Sequence, residues 1–451
     1  MSIPHIPLDK NSDIPLYRQL SDALQALMQK GELKPDTRLP SIRQLSQALD
    51  VNNTTVVNAY KQLERVAAVY TVVGRGTFVA VPTIPEPTVD NTPVEIPELP
   101  EFTPDYINFA DMSTDASLFP TTGFRRAFDA VLDRDGGAAF DNLDNQGYKP
   151  LRESFGQMMG AIDPDNIHVT TDIQQGLEAV AAVLLAPGDT VFVERPTSQM
   201  AVAVFLSQGA NIVEMPMLSN GPDFDALDAL LKQHKPKLIY TMPNFQIPTG
   251  ICYSSESMRR LIELADACGA FIIEEDQYSD FYYDGVKRNL LRTESDRVIY
   301  IKSFAKTLIS GLRLGYLVCP GDIPVSVKGD GATCGYIQRG LDLFLRSGAY
   351  ELHLANMRSV YGRKYQKVVA ALNTYLGHLA DFVLPAGGFG IWVTPHEVGD
   401  HAERILQRKV VVSPGWLYGT DIAGFRINFT AVTEEQVAEG LGVIAQVLGG
   451  E

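Results

Sequence analysis

Between residues 190 and 318 the chain alternates six short β-rich apolar runs with helical stretches, and that alternation narrows the fold more than any other feature. The runs are Thr190 to Val193, Asn211 to Met215, Lys237 to Tyr240, Ala270 to Glu274, Val298 to Ile301 and Leu314 to Val318. Helical spacing marks Gln175 to Leu185, Gln199 to Gly209, Asp225 to Lys232 and Ser255 to Cys268. Apolar strands separated by helices form a mostly parallel sheet covered on both faces, an α/β fold. Ligands of such sheets sit beyond the carboxyl ends of the strands. The polar residues that follow each run are therefore the candidates for chemistry.

The last two runs flank a small-residue turn that carries Lys306, with Arg313 seven residues on. A lysine on a desolvated turn loses its ammonium hydration, its pKa falls, and its amine becomes a nucleophile for carbonyls. The planar fork of an arginine suits a phosphate dianion. At the end of another run, Glu274-Glu275-Asp276-Gln277-Tyr278 offers a carboxylate for a pyridinium nitrogen and a phenol for a ring oxygen. Thr171 to Leu177 opens a helix whose amides around Gln174 suit a phosphate. Gly424 to Phe429 puts Arg426 on a short strand. Each of these residues alone reads equally well as a solvated surface charge.

A chain of 451 residues exceeds one ordinary domain. Its net charge of −16 argues against nucleic-acid binding by the whole. Residues 1–80, however, hold nine Lys/Arg against seven Asp/Glu, a net +2, so the remainder carries −18. A mildly basic unit is joined to an acidic one that repels DNA elsewhere. The four cysteines lack C-x-x-C spacing, which suggests neither a metal site nor a disulfide framework. No leader segment begins the chain and no apolar run reaches ~18 residues, so a cytoplasmic protein with no membrane partner is expected.

In the basic unit, Leu16, Leu20, Leu24 and Leu27 give an amphipathic helix from Pro15 to Lys30. Ser41 caps a second helix, and Thr54 or Asn53 caps a third through Val57, Tyr60 and Leu63. Two β-rich runs around Gly74-Arg75-Gly76 make a hairpin. Helix, tight turn, helix and hairpin is a winged helix-turn-helix, whose second helix enters the major groove. From Pro82 to Pro104, seven prolines among acidic residues read as an extended linker, up to ~70 Å long. The expected division is therefore 1–81, 82–104 and 105–451.

The basic unit resembles the GntR-type DNA-binding domain in R-L-P-S-x-R-x-L (Arg38 to Leu45), T-V-V-N-A-Y-x-x-L (Thr55 to Leu63) and G-R-G-T-F-V (Gly74 to Val79). That resemblance implies that Arg38, Ser41 and Arg43 hold phosphates, Thr54 and Thr55 begin the recognition helix, and Arg75 sits on the wing. The lysine segment, through Ser303, Lys306, Gly311, Arg313, Gly315 and Tyr316, resembles fold-type I pyridoxal-phosphate enzymes. The order of winged helix, linker and aminotransferase-like body resembles the MocR subfamily of GntR regulators over essentially the whole chain. The resemblance implies a fold-type I body with a small C-terminal α+β domain, binding pyridoxal 5'-phosphate. Lys306 would form the Schiff base, Asp276 would meet the pyridine nitrogen, Tyr278 the ring hydroxyl, and Ser303 and Arg313 the phosphate. Arg426 would grip an effector carboxylate.

The chain departs from that pattern at Ile173, Ser198, Ile247, Ala305 and Lys302. Lost hydroxyls at such positions remove hydrogen bonds worth ~1.5 to 3 kcal/mol each, which weakens the expected hold on the cofactor. The leading expectation is a homodimeric transcription regulator that binds operator DNA and senses a small amino compound, or pyridoxal 5'-phosphate itself, in its aminotransferase-like body. The alternatives are an active aminotransferase, or a regulator whose body has lost the cofactor and binds another ligand.

Overall fold

The computed structural model describes residues 16–29, 33–34, 37–49, 51–65, 69–72, 76–79, 99–327, 334–397, 399–419 and 424–450. They form two units, divided between Thr88 and Val89. Pro15, Arg75 and most of the proline-rich segment lie outside the described residues.

In the first unit, α1 (Leu16–Gln29) turns Leu20 and Leu24 fully inward, as their spacing predicts. Helix α2 (Ile42–Ala48) opens on a capping box. Ser41 accepts from the Gln44 N–H, and the Gln44 side chain accepts from the Ser41 N–H. Helix α3 (Asn53–Arg65) follows. Its cap is Asn52, one position before the expected Thr54 or Asn53. Asn52 Oδ1 accepts from the Thr55 N–H at 2.7 Å and the Thr55 hydroxyl at 2.8 Å. A cap must stand just outside the helix to reach those first amides, and Asn53 is already inside it, its Oδ1 taking the Ser46 hydroxyl at 2.7 Å. Strands β1 (Val69–Val72) and β2 (Gly76–Val79) pair antiparallel as the wing. Leu20, Leu24, Leu45, Val56, Leu63, Val69 and Val79 share one core.

The second unit runs β3 (Ile107–Asn108), α4 (Thr121–Asp135), α5 (Lys149–Met158), β4 (Ile167–Thr170), α6 (Ile173–Leu184), β5 (Thr190–Arg195), α7 (Gln199–Ser207), β6 (Asn211–Leu218) and β7 (Gly221–Pro222). It continues through α8 (Phe224–Gln233), β8 (Pro236–Thr241), α9 (Ser255–Cys268), β9 (Phe271–Asp276), β10 (Val298–Ser303) and β11 (Gly315–Val318). Strands β4 to β11 form one sheet in the order β4-β11-β10-β9-β8-β5-β6-β7. Its five central strands, β10, β9, β8, β5 and β6, run parallel, and β11 runs against both its neighbours. All six apolar runs are strands of this sheet. Strands β4 and β7 lie at its two ends and were not foreseen, being only four and two residues long.

Alternate residues of the central strands face two different cores. Val193, Tyr240, Ile273, Ile299 and Ile301 pack with α6 and α7. Phe192, Ile239, Ile272 and Val298 pack with α8 and α9. This two-sided burial is why the strands read as continuous apolar runs.

The chain then forms α10 (Gly335–Arg346), the 28-residue α11 (Ala349–Leu376), β12 (Ala380–Val383) and β13 (Gly390–Pro395). It closes with α12 (His401–Gln407), β14 (Val410–Val411), β15 (Ser413–Pro414), β16 (Phe425–Asn428) and α13 (Glu434–Leu448). Strands β12, β13, β16 and β15 form an antiparallel sheet, the expected small α+β domain. Strand β14 pairs with β3, which ties the start of the unit to its end. No helix among the described residues is long and apolar enough to cross a membrane.

Leu63 is fully buried where α3 meets the rest of the first unit's core. Leu63→Ala is expected to destabilise the winged helix by ~2–5 kcal/mol, read as faster amide hydrogen exchange along α1 and α3.

Candidate functional site

The polar end of β9 separates into two groups, because successive side chains of a strand point to opposite faces. Asp276 shares its face with Ile272 and Glu274, and the register sets it opposite Lys302 of β10. Its Oδ2 accepts from Lys302 Nζ at 2.9 Å and from the Tyr300 hydroxyl at 2.6 Å, while Oδ1 accepts from the Ser279 N–H at 2.9 Å. Lys302 Nζ also lies 2.7 Å from Asp280 Oδ2. Burial drives the Asp276 carboxyl upward, but the attraction of Lys302 and the hydrogen bonds outweigh it and hold the group below the usual carboxylate range. Burial likewise pulls Lys302 down, and the two carboxylates reverse that and raise it well above the usual lysine value. The expectation that Asp276 meets a pyridine ring is thus corrected: the carboxylate lies on the other face of the sheet, fully engaged by a buried lysine. Glu275 faces the first core instead. It accepts from the Tyr240 hydroxyl and from Gln277 Nε2, each at 2.6 Å, and burial raises its carboxyl above the ordinary glutamate value.

Three other expected residues gather beside that core. Lys306 follows β10 on its turn and donates from Nζ to the Met112 carbonyl at 2.7 Å. Arg426, in the middle of β16 between β13 and β15, is 2 % exposed and is not the edge-strand charge that a lone arginine suggests. Its Nη1 lies 3.0 Å from the Met112 sulfur, and its guanidinium carbon 5.8 Å from the Tyr278 ring centre. The Tyr278 hydroxyl and Arg426 Nε make no hydrogen bond of good geometry among the described residues, although the phenols of Tyr278 and Tyr418 both face the guanidinium. Arg426 reaches this position because residue 390 is glycine, where an added Cβ would stand 2.1 Å from Nε. Ser303 ends β10, its hydroxyl oxygen accepting from the Ala305 N–H at 3.1 Å.

The expected phosphate ligands are arranged differently. Asp172 caps α6, its Oδ1 accepting from the Gln175 N–H at 2.9 Å. Its Oδ2 forms an ion pair with Arg313 Nη2 at 2.8 Å. The Gln174 side chain turns away along the helix and donates to Glu178 at 2.8 Å. Gln174 and Arg313 therefore do not present an open phosphate site; a carboxylate of the chain already stands there. Ile173 is buried in the core at the first position of the helix, and Ile247 is buried in the same core.

Sequence reasoning passed over Asp172, Glu275, Met112 and Gly390. The first two were legible: aspartate directly before an apolar helix start is a cap, and strand period separates residue 275 from residue 276. Met112 and Gly390 depend on contacts between segments far apart in the chain, for which the sequence carries no local signal.

In the first unit, Arg38 is exposed and bridges to Phe78 of the wing, with its guanidinium 2.9 Å from where a Cβ on Gly76 would be. Arg43 is exposed on the first turn of α2, and Thr54 on the first turn of α3. The Ser41 and Thr55 hydroxyls are used within the fold, donating to Gln44 and Asn52 respectively at 2.8 Å.

The aminotransferase fold family depends on pyridoxal 5'-phosphate, and the structure tests whether these residues suit it. Lys306, Ser303 and the Tyr278 hydroxyl are compatible with the cofactor's carbonyl and ring. The phosphate end is not, because Asp172 places a negative charge where a dianion would sit and engages Arg313. Asp276 does not reach the ring side, where the carboxylate is that of Glu275, bonded to Tyr240 and Gln277. The residues present do not fit the phosphorylated cofactor.

A winged helix followed by a doubly wound sheet and a small antiparallel domain defines a DNA-binding regulator built on an aminotransferase-like body. Residues 16–79 match the gntR family of bacterial regulatory proteins. Residues 110–444 match aminotransferase class I and II, and the chain belongs to that family. It is 26% identical to the uncharacterized HTH-type transcriptional regulator YisV of Bacillus subtilis, over 97% of this chain and 96% of that one. It is 28% identical to the probable rhizopine catabolism regulatory protein MocR of Rhizobium meliloti, over 83% of this chain and 80% of that one. Among solved structures it resembles LysN, the alpha-aminoadipate aminotransferase of Thermus thermophilus, in complex with N-(5'-phosphopyridoxyl)-L-leucine. That match has a TM-score of 0.72 and 28% identity, and covers 77% of this chain and 93% of that one.

Lys302→Met leaves the buried Asp276 and the half-buried Asp280 without their cation and is expected to destabilise the second unit by ~3–5 kcal/mol at neutral pH. The depressed Asp276 pKa means that its contribution is present above the unfolded carboxylate value and lost as pH falls through the folded one. The gap between wild type and variant should therefore narrow as pH falls below about 4, measured by denaturant unfolding across pH.

Proposed function

We propose that the aminotransferase-like body of this regulator senses a small carboxylate compound and passes its state to the winged helix. The observation that carries this is Arg426, buried and facing no carboxylate among the described residues. Its present neighbours are the Met112 thioether, a weak acceptor, and the phenols of Tyr278 and Tyr418, none of them an anion. A ligand carboxylate accepting two parallel bonds from the guanidinium would replace the thioether with a far stronger contact. Lys306 holds the other end of Met112, so a ligand that displaces this residue meets both cations. Amino acids and 2-oxo acids carry a carboxylate beside a second polar group and match that arrangement. The body acts as a homodimer, and its two winged helices read half-sites spaced by whole turns of operator DNA, ~10 bp or multiples. Arg38, Arg43 and Thr54 are exposed for that contact.

A second reading keeps pyridoxal 5'-phosphate on Lys306, with Tyr278 and Ser303 as its neighbours, as cofactor of a sensor or of a working aminotransferase. The Tyr278 hydroxyl, without a hydrogen bond of good geometry among the described residues, favours it, and the Asp172–Arg313 pair opposes it.

L-Glutamate, L-2-aminoadipate and 2-oxoglutarate serve as probes. At least one is expected to raise the melting temperature of the wild type and change its affinity for DNA from its own promoter region. Arg426→Met should weaken that response by about a hundredfold, within the range for removing one partner of a buried charge pair. Indifference of the wild type to all three would defeat the sensor reading. Arg43→Ala is expected to weaken DNA binding across all sequences and to reduce the salt slope by about one. Equal wild-type affinity for promoter and random DNA would count against the DNA-binding assignment.

A further inference from the structure

We propose that Asp172 is a built-in anion that takes the place of a phosphate at the start of α6, so that the pocket admits only unphosphorylated carboxylate ligands and responds to them without pyridoxal 5'-phosphate. The proposal rests on the sensor reading above and specifies its ligand.

The sheet brings three segments to one corner. Gly315 of β11 pairs with Thr170 at the end of β4 and with Ser303 at the end of β10. Thr171 and Asp172 follow β4 directly into α6, and Arg313 stands two residues before Gly315. A helix N-terminus beside an arginine is an anion site, since unpaired amides and the helix dipole both favour negative charge. The anion is already supplied. One oxygen of Asp172 accepts from the Gln175 N–H at 2.9 Å and the other pairs with Arg313 at 2.8 Å. The Thr171 N–H is also taken, donating to the Gln175 side chain at 2.8 Å. The Arg313 backbone takes φ at 47°, a left-handed conformation uncommon outside glycine, and its side chain reaches Asp172 from a largely exposed position.

The neighbouring substitution acts in the same direction. At residue 173, directly beside the anion, the helix presents an isoleucine whose side chain is buried in the core and which has no hydroxyl to donate. A phosphate entering this corner would face a like charge and would compete with Asp172 for the arginine and the Gln175 amide. A ligand whose only anionic group is the carboxylate at Arg426 meets no such conflict.

The test compares wild type, Asp172→Asn and Asp172→Gly by calorimetric titration with inorganic phosphate, and by visible absorption after addition of pyridoxal 5'-phosphate. Wild type is expected to show no saturable phosphate binding and no absorption band that depends on Lys306. Asp172→Asn keeps the capping oxygen while removing the charge, and should bind phosphate about tenfold or more tightly than wild type. Asp172→Gly, which also frees the Gln175 amide, should bind more tightly still. A Lys306-dependent band in wild type would overturn the proposal. Failure of both folded variants to gain phosphate affinity would overturn it equally. Circular dichroism verifies folding, and Asp172→Ser, another capping residue, replaces any variant that does not fold. The titration does not depend on which carboxylate the pocket senses, so a failure of the sensor reading remains distinguishable from a failure here.

Discussion

In a strand buried on both faces, each side chain is committed to one core or the other, and the chemistry of this protein follows from how β9 makes that commitment. Ile273 and Glu275 turn toward α6 and α7, whereas Glu274 and Asp276 turn toward the opposite layer. The carboxylate that the local motif singles out is therefore bound to Lys302 and Tyr300, and becomes part of the scaffold. Its ion pair is completed by Asp280 and Ser279, so the buried charges have the extra partners that such a pair needs to be tolerated. The side that faces the pocket is left with Glu275, tied to Tyr240 across the neighbouring strand.

The same sheet geometry organises the cations. Lys306 extends from the turn after β10, and Arg426 arrives from the small antiparallel sheet, admitted by the missing side chain at Gly390. Met112 joins them, using its carbonyl for one and its sulfur for the other. The segment that carries Met112 is itself anchored, since the Asn428 N–H donates to the Phe109 carbonyl and the Thr430 hydroxyl to the Ser113 carbonyl. Any change at Met112 is thus mechanically linked to β16 and to the start of the unit.

Much of this architecture was legible from residue patterns. The six apolar runs are strands of the eight-stranded sheet, and in all but β6 burial on both faces writes itself as continuous apolar sequence. The winged helix was legible from its caps and its hairpin, with the third helix starting from Asn52 where Thr54 or Asn53 was expected. Lys306 and Arg426 were found from their flanking motifs. What failed was the assignment of partners. Asp276 and Arg313 are the residue types that a phosphorylated pyridine cofactor needs, but each is paired with a group distant in sequence or unremarkable in isolation: Lys302 lies 26 positions away, and Asp172 resembles any helix cap. Electrostatic pairing is a property of three-dimensional neighbours, and local motifs report only what a residue is able to bind.

The ion pair between Asp172 and Arg313 has one more consequence. A diffusible anion occupies its site according to its concentration, whereas a side chain on the backbone is present at a high effective concentration that dilution does not change. The Asp172 carboxylate therefore stands beside Arg313 whatever the anion content of the solution.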